Sequence, residues 1–113
     1  MLLLEHRGRK SGKVFVAPLL YIIDGPNVVV AASQGGVPKD PQWYRSLRAD
    51  PVVHIEIGAN RRAVQAVTAG PGERARLWPR LLAAYADFDT YQSRTDGEIP
   101  VVILRPRPWL NPD

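Results

Sequence analysis

Cysteine is missing from all 113 residues. No disulfide framework can form, and zinc sites built on cysteine spacing are excluded. Histidine occurs only twice, as His6 and His54. Neither has metal-ligand spacing to a partner, and neither falls where a Ser–His–Asp set could be argued. Long apolar runs are lacking too. Met1-Leu2-Leu3-Leu4 gives way at once to Glu5, His6 and Arg7, far short of the roughly 7–15 residues of a signal-peptide core or the about 20 of a membrane span. A cytoplasmic protein is expected, with peripheral membrane association left open and no integral membrane segment. The first expected strand starts almost at the first residue, so a leading segment is either missing or never existed.

What the chain does contain suits one domain over residues 1–113, with an irregular tail at 106–113. Hydrophobic residues make up 45% and charged residues 23%, ordinary globular values that argue against disorder. Net charge is +4, and Arg7, Arg9, Lys10 and Lys13 crowd together, a pattern that suits either an anionic partner or a solvated loop. A nucleic-acid binder on a small barrel is the rival reading of basic charge with tryptophan and tyrosine. Acidic residues spread along the chain and the lack of an aromatic-and-basic strand motif count against it.

Patterning predicts the following order. Leu2–Arg7 reads as a strand, and Gly8-Arg9-Lys10-Ser11-Gly12 as a turn framed by glycines. Val14–Ile23 and Val28–Ala32 are apolar without clean alternation, so both faces of each are expected to be covered, with Asp24-Gly25-Pro26-Asn27 as the hairpin turn. Pro18 belongs at an edge or bulge. Asp40 is expected to cap a short helix with Pro41 at its first position, Trp43 and Leu47 on one face, and Asp50-Pro51 ending it. Val52–Ile57 alternates as a half-buried strand, turns at Gly58–Arg61 and pairs with Arg62–Thr68. Pro71 begins a helical region through Tyr85, which Pro79 must kink or restart. Pro100–Leu104 is the last strand. Three strands ahead of the first helix disfavour a parallel fold. They point to α+β: a β-barrel of about six mainly antiparallel strands with helices outside.

The Gly8–Lys13 stretch fails as a Walker A loop, because three residues rather than four separate its glycines and Val14 follows the lysine. It still presents backbone N–H groups, a hydroxyl and cations to one spot, a weak signal for phosphate or carboxylate. Ala31-Ala32-Ser33-Gln34-Gly35-Gly36 ends a strand in small residues, which either forms a plain loop or lets a flat ligand approach the backbone. Trp43 and Tyr44 either stack on a ring or fill the core. With no acid–base apparatus in view, chemistry carried by a cofactor fits the residues best.

Taken together, Leu2-Leu3-Leu4 before Gly8–Gly12, Pro18-Leu19-Leu20-Tyr21, Ala31–Gly36 and Pro41-Gln42-Trp43-Tyr44 are similar to the deazaflavin-dependent nitroreductases of actinobacteria. So are Tyr85, Tyr91-Gln92-Ser93-Arg94-Thr95-Asp96 and Ile99-Pro100-Val101-Val102. The resemblance implies a split β-barrel of the FMN-binding type that uses coenzyme F420, an 8-hydroxy-5-deazaflavin with an anionic tail. It implies that Arg9, Lys10 and Ser11 hold the tail. Ala32, Ser33, Gln34, Gly35 and Gly36 would lie along the ring, Trp43 and Tyr44 would close over it, and Tyr85, Phe88 and Tyr91 would line the acceptor pocket. Ser33 and Tyr85 are the candidates for a part in the chemistry. Phe15, Leu20, Gln34 and Phe88 depart from the family pattern. The expected reaction is hydride transfer to a quinone, activated enone or nitroaromatic. Two alternatives remain: the same fold with FMN, and a carrier without turnover. The partner is a small-molecule acceptor rather than nucleic acid, and the protein a monomer or homodimer.

Overall fold

In a computed structural model of the chain, residues 1–8, 11–33, 41–94 and 98–107 are described. β1 (Leu2–Arg7) buries Leu2, Leu4 and His6 and turns Leu3 and Arg7 outward, as period-two geometry requires. It pairs antiparallel with β2 (Val14–Leu19) on one side and β5 (Val52–Ile57) on the other. β5 continues through a tight turn at Gly58 and Ala59 into β6 (Asn60–Thr68), two residues earlier than the sequence suggests. β6 pairs with β7 (Val101–Pro106), β7 with β4 (Asn27–Ala31), and β4 with β3 (Ile22–Asp24). The result is one seven-stranded antiparallel sheet in the order β2-β1-β5-β6-β7-β4-β3.

The expected strand Val14–Ile23 is two strands at opposite edges of this sheet. Only Leu20 and Tyr21 separate β2 from β3. Consecutive Cα atoms are about 3.8 Å apart, so the two edges must come within a few residues of each other. The sheet curls into a split β-barrel for that reason. Pro18 sits on an edge strand, where the missing N–H costs no ladder bond. The expectation of two covered faces holds for β4 and fails for β2, where Val14 and Val16 are each 56% exposed.

Alternation along β4 and β7 separates two cores. The inner one joins Leu2, Leu4, Val28, Val30, Ile55 and Leu104 to α1 (Gln42–Ala49), which plugs the barrel with Trp43, Tyr44 and Leu47. Pro41 takes the N-cap position of α1 rather than its first helical one, and no side chain caps it; Asp40 lies outside the described residues. The outer core sets Val29, Ala31, Val101 and Ile103 against α2 (Pro71–Ala84) and α3 (Asp87–Ser93). Leu77 and Leu81 are fully buried there, each contributing about 1.5–3 kcal/mol. α2 runs on through Pro79, whose exposed position lets the chain forgo one intrahelical bond. The helical region does not continue past Tyr85 as one piece, since that residue is the C-cap of α2 and α3 starts afresh at Asp87. The last strand extends to Pro106, the first residue of the expected irregular tail.

Candidate functional site

The β3–β4 ladder stops at the Ile22–Val29 pair. Beyond it, among the described residues, no strand is laddered to that edge of β4, which runs on to Ala31, Ala32 and Ser33. Of the candidate site residues, Ala32 and Ser33 lie at this open seam. Ala32 points into the inner core with Trp43 and Tyr44. Ala31 points to the outer core with Phe88, Tyr85 and Tyr91. The end of β4 therefore has one aromatic group on each face, and its two alanines leave the backbone approachable.

Ser33 follows directly. Its amide N–H donates to the Ala31 carbonyl at 3.1 Å, turning the chain sharply. Its Oγ is buried and has no hydrogen-bond partner among the described residues. A buried hydroxyl without a partner costs on the order of 1–3 kcal/mol, so it marks a place where a ligand atom would be welcome. Gln34, Gly35 and Gly36, the rest of the expected ring-binding loop, lie outside the described residues.

Trp43 and Tyr44 are both only 6% exposed. They meet edge to face at a centroid distance of 6.1 Å. The Tyr44 phenol and the Thr68 hydroxyl are 2.9 Å apart and tie α1 to the end of β6. Tyr44 is thus a fixed core residue, and Trp43 shares the inner core with Ala32.

The basic turn is described in part; Arg9 and Lys10 lie outside the described residues. The Gly8 N–H donates to the Lys13 carbonyl at 2.8 Å and the Gly12 N–H to the Gly8 carbonyl at 3.0 Å, with Gly12 at φ 71°. Ser11 Oγ accepts from the Lys13 N–H at 3.2 Å. A Cβ on Gly8 would lie 3.1 Å from both the Phe15 ring and Ser11 Oγ, so the turn is folded against Phe15. Phe15 stacks on His6 at 5.6 Å between centroids, and His6 Nδ1 lies 3.2 Å from Ser46 Oγ on α1.

The expected acceptor residues keep company with one another rather than with Trp43. Phe88 is 7% exposed and packs edge to face with Tyr85 and Tyr91 at 5.9 and 6.1 Å. The Tyr85 hydroxyl donates to the Tyr21 carbonyl at 3.0 Å, which ties this aromatic group to the crossover between β2 and β3. His6, Ser46 and Thr68 were missed in the sequence. For His6 the signal was there: Leu2, Leu4 and His6 share one face of β1.

Among the described residues, no group of three His, Asp or Glu side chains could hold a metal ion. No helix among them is long and apolar enough to cross a membrane.

Residues 1–106 match the family of F420H(2)-dependent quinone reductases. The chain belongs to this family. It is 64% identical over 106 residues to a Mycobacterium tuberculosis protein named, provisionally, as an F420H(2)-dependent quinone reductase, covering 94% of this chain and 89% of that one. A solved F420-H2-dependent reductase superposes with a TM-score of 0.84 at 33% identity, covering 92% of both chains. A second solved structure, described as a domain-swapped dimer, gives the same TM-score and identity and covers 92% of this chain and 78% of that chain. The split barrel and the enzyme class expected from the sequence both stand. The residues present fit a deazaflavin of this family's kind. A buried hydroxyl without a partner among the described residues and a pair of alanines lie at the seam, a tryptophan shares the inner core with Ala32, and a turn of exposed polar and cationic residues lies across Phe15 and His6 from α1.

Proposed function

We infer that this chain passes a hydride from reduced coenzyme F420 to a small quinone-type acceptor. The observation that carries the reading is Ser33: a buried hydroxyl without a partner among the described residues, just past the open end of β4, next to two alanines that face an aromatic group each. Bound there, the reduced deazaflavin supplies the hydride from its C5 position. Ser33 offers a hydrogen bond to a polar edge of the ring, Ala32 admits the ring close to the backbone, and Trp43 keeps water from one side of it. Ser11, with Arg9 and Lys10 beside it in sequence, holds the anionic tail through charge-assisted bonds. Tyr85, Phe88 and Tyr91 take the acceptor, and water or a nearby tyrosine supplies the proton that accompanies the hydride. No nucleophile is required, so single substitutions lower the rate through lost positioning.

FMN in the same fold and a carrier without turnover are the competing readings. Stopped-flow oxidation of the reduced coenzyme with menadione separates them. The proposal expects oxidation that depends on both protein and quinone, whereas binding without oxidation leaves the carrier. The exposed outer face of Leu3, Val14, Val16 and Val52 supports a homodimer over a monomer, which sedimentation checks. Work in the cytoplasm completes the proposal.

A further inference from the structure

His6 is a histidine that the proposed chemistry does not use, yet it is 6% exposed and sits at a junction. One side of its ring stacks on Phe15, 23° from parallel. Phe15 in turn lies against Gly8, which also has Ser11 Oγ close by. Nδ1 lies 3.2 Å from Ser46 Oγ, a contact that spans 40 residues of sequence. Ser46 is 3% exposed and lies one helical turn after Trp43, on the same buried face of α1. An unbroken series of contacts therefore leads from the tail-binding turn through Phe15, His6 and Ser46 to the helix bearing Trp43.

We propose that His6 is a positioning residue for the cofactor site: its ring fixes the Trp43 helix in place relative to the Gly8–Ser11 turn. This rests on the reading of the seam as a deazaflavin site. A ligand that spans both turn and helix binds best when their separation is fixed beforehand, because the ordering is then already done.

The neutral ring is the form that fits. Burial holds its pKa below the ordinary 6.5, and among the described residues no carboxylate lies within ion-pair distance. Glu5 and Arg7 on its own strand, His54 on β5 and Asp50 at the end of α1 line the adjacent pocket of about 190 Å³. Glu5 is engaged by Arg61 at 2.9 Å and Arg7 by the Gly12 carbonyl at 3.2 Å. β2 carries no titratable side chain. Because burial lowers the pKa of the folded ring, protonation favours states in which the ring is released from Phe15 and α1.

The test compares the natural chain with His6→Gln, Ser46→Ala and His54→Gln. Two quantities are read near pH 7.5 and near pH 5.5: amide protection of α1 without ligand, and the dissociation constant for coenzyme F420. In the natural chain and in His54→Gln, acid should lower α1 protection and weaken binding at least about twofold, as the lowered pKa of the folded ring requires. His6→Gln keeps a hydrogen-bonding group that does not titrate, so its α1 protection should be flat across this range. Its affinity should change only by whatever ionisation of the ligand itself contributes. Ser46→Ala should already bind more weakly near pH 7.5. If His6→Gln keeps the natural profile, or His54→Gln abolishes it, the role of His6 is overturned. So it is if α1 protection in the natural chain ignores pH, whatever the coenzyme does. Absence of coenzyme binding near pH 7.5 in the natural chain overturns the deazaflavin reading instead.

Discussion

The Tyr85 hydroxyl reaches the Tyr21 carbonyl at 3.0 Å, joining the end of α2 to the short crossover between β2 and β3. That crossover is where the two edges of the split barrel come together, so the bond bears on both stability and the width of the seam. Tyr85→Phe removes a donor from a half-buried carbonyl. The expected loss is about 1 kcal/mol, or roughly 4 °C in Tm for a chain of this size, read by thermal unfolding. The acceptor KM should rise more than the coenzyme affinity falls.

Ser33 gives a prediction with two opposite signs. Its hydroxyl has no partner among the described residues, so Ser33→Ala should leave the ligand-free protein as stable as before or slightly more so. Binding of coenzyme F420 should weaken about threefold to tenfold as one hydrogen bond is lost. Unfolding and fluorescence titration of the same two proteins check both. A drop in stability with unchanged affinity would give the hydroxyl a purely structural task.

Asp24 closes the β3–β4 hairpin onto α2. Arg76 donates to both of its carboxylate oxygens at 3.0 and 2.9 Å, and Arg80 donates to Oδ1 at 2.9 Å and to the Ile23 carbonyl at 2.6 Å. The Arg76 hydrogen bonds, with the charges of both arginines, hold its carboxyl below the usual 3.8. A carboxylate whose folded pKa is depressed stabilises the fold above its unfolded value and loses that contribution as pH falls through the folded one. Asp24→Asn should therefore lower Tm at neutral pH, and the gap should close as pH drops below 3.8. The pair is solvent-facing, so added salt should narrow the gap as well.

Much of this architecture could be read in advance, and what escaped did so for physical reasons. β5 alternates in sequence, and the structure places both β1 and β5 with the expected bounds. The continuous apolar run of β4 was read correctly as covered on both faces. Val14–Ile23 has the same local look, yet its two halves lie at opposite sheet edges. Local pattern reports burial averaged over a strand and carries nothing about which neighbour each half will find. Trp43 was legible because its four-residue spacing with Leu47 marks one helix face. Ser46 was not, since a serine on that face gains meaning only from His6, 40 residues away. The glycine-framed turn at Gly8–Gly12 was legible by composition, and its two central cations, Arg9 and Lys10, are outside the described residues.

Arg74 shows how a surface-type residue becomes structural. Its Nε and Nη2 donate to the Ile99 carbonyl at 3.2 and 3.0 Å, and its guanidinium stacks on Trp78 at 4.6 Å. Nη2 also donates to Gln92 Oε1 at 3.1 Å, the atom that accepts the Ile99 N–H at 2.8 Å. A lysine cannot reproduce a planar fork that both stacks and bonds. Arg74→Lys should destabilise by about 1.5–3 kcal/mol, measured by urea unfolding, with coenzyme affinity near the natural value.

The central claim is that the seam at the end of β4 is shaped for a deazaflavin. Equilibrium titration of the purified chain with coenzyme F420 and, separately, with FMN tests it most directly. Saturable binding of one coenzyme F420 per chain is expected, with FMN at least about tenfold weaker, a difference of roughly 1.4 kcal/mol. Equal or tighter binding of FMN, or no saturation with coenzyme F420, would contradict it.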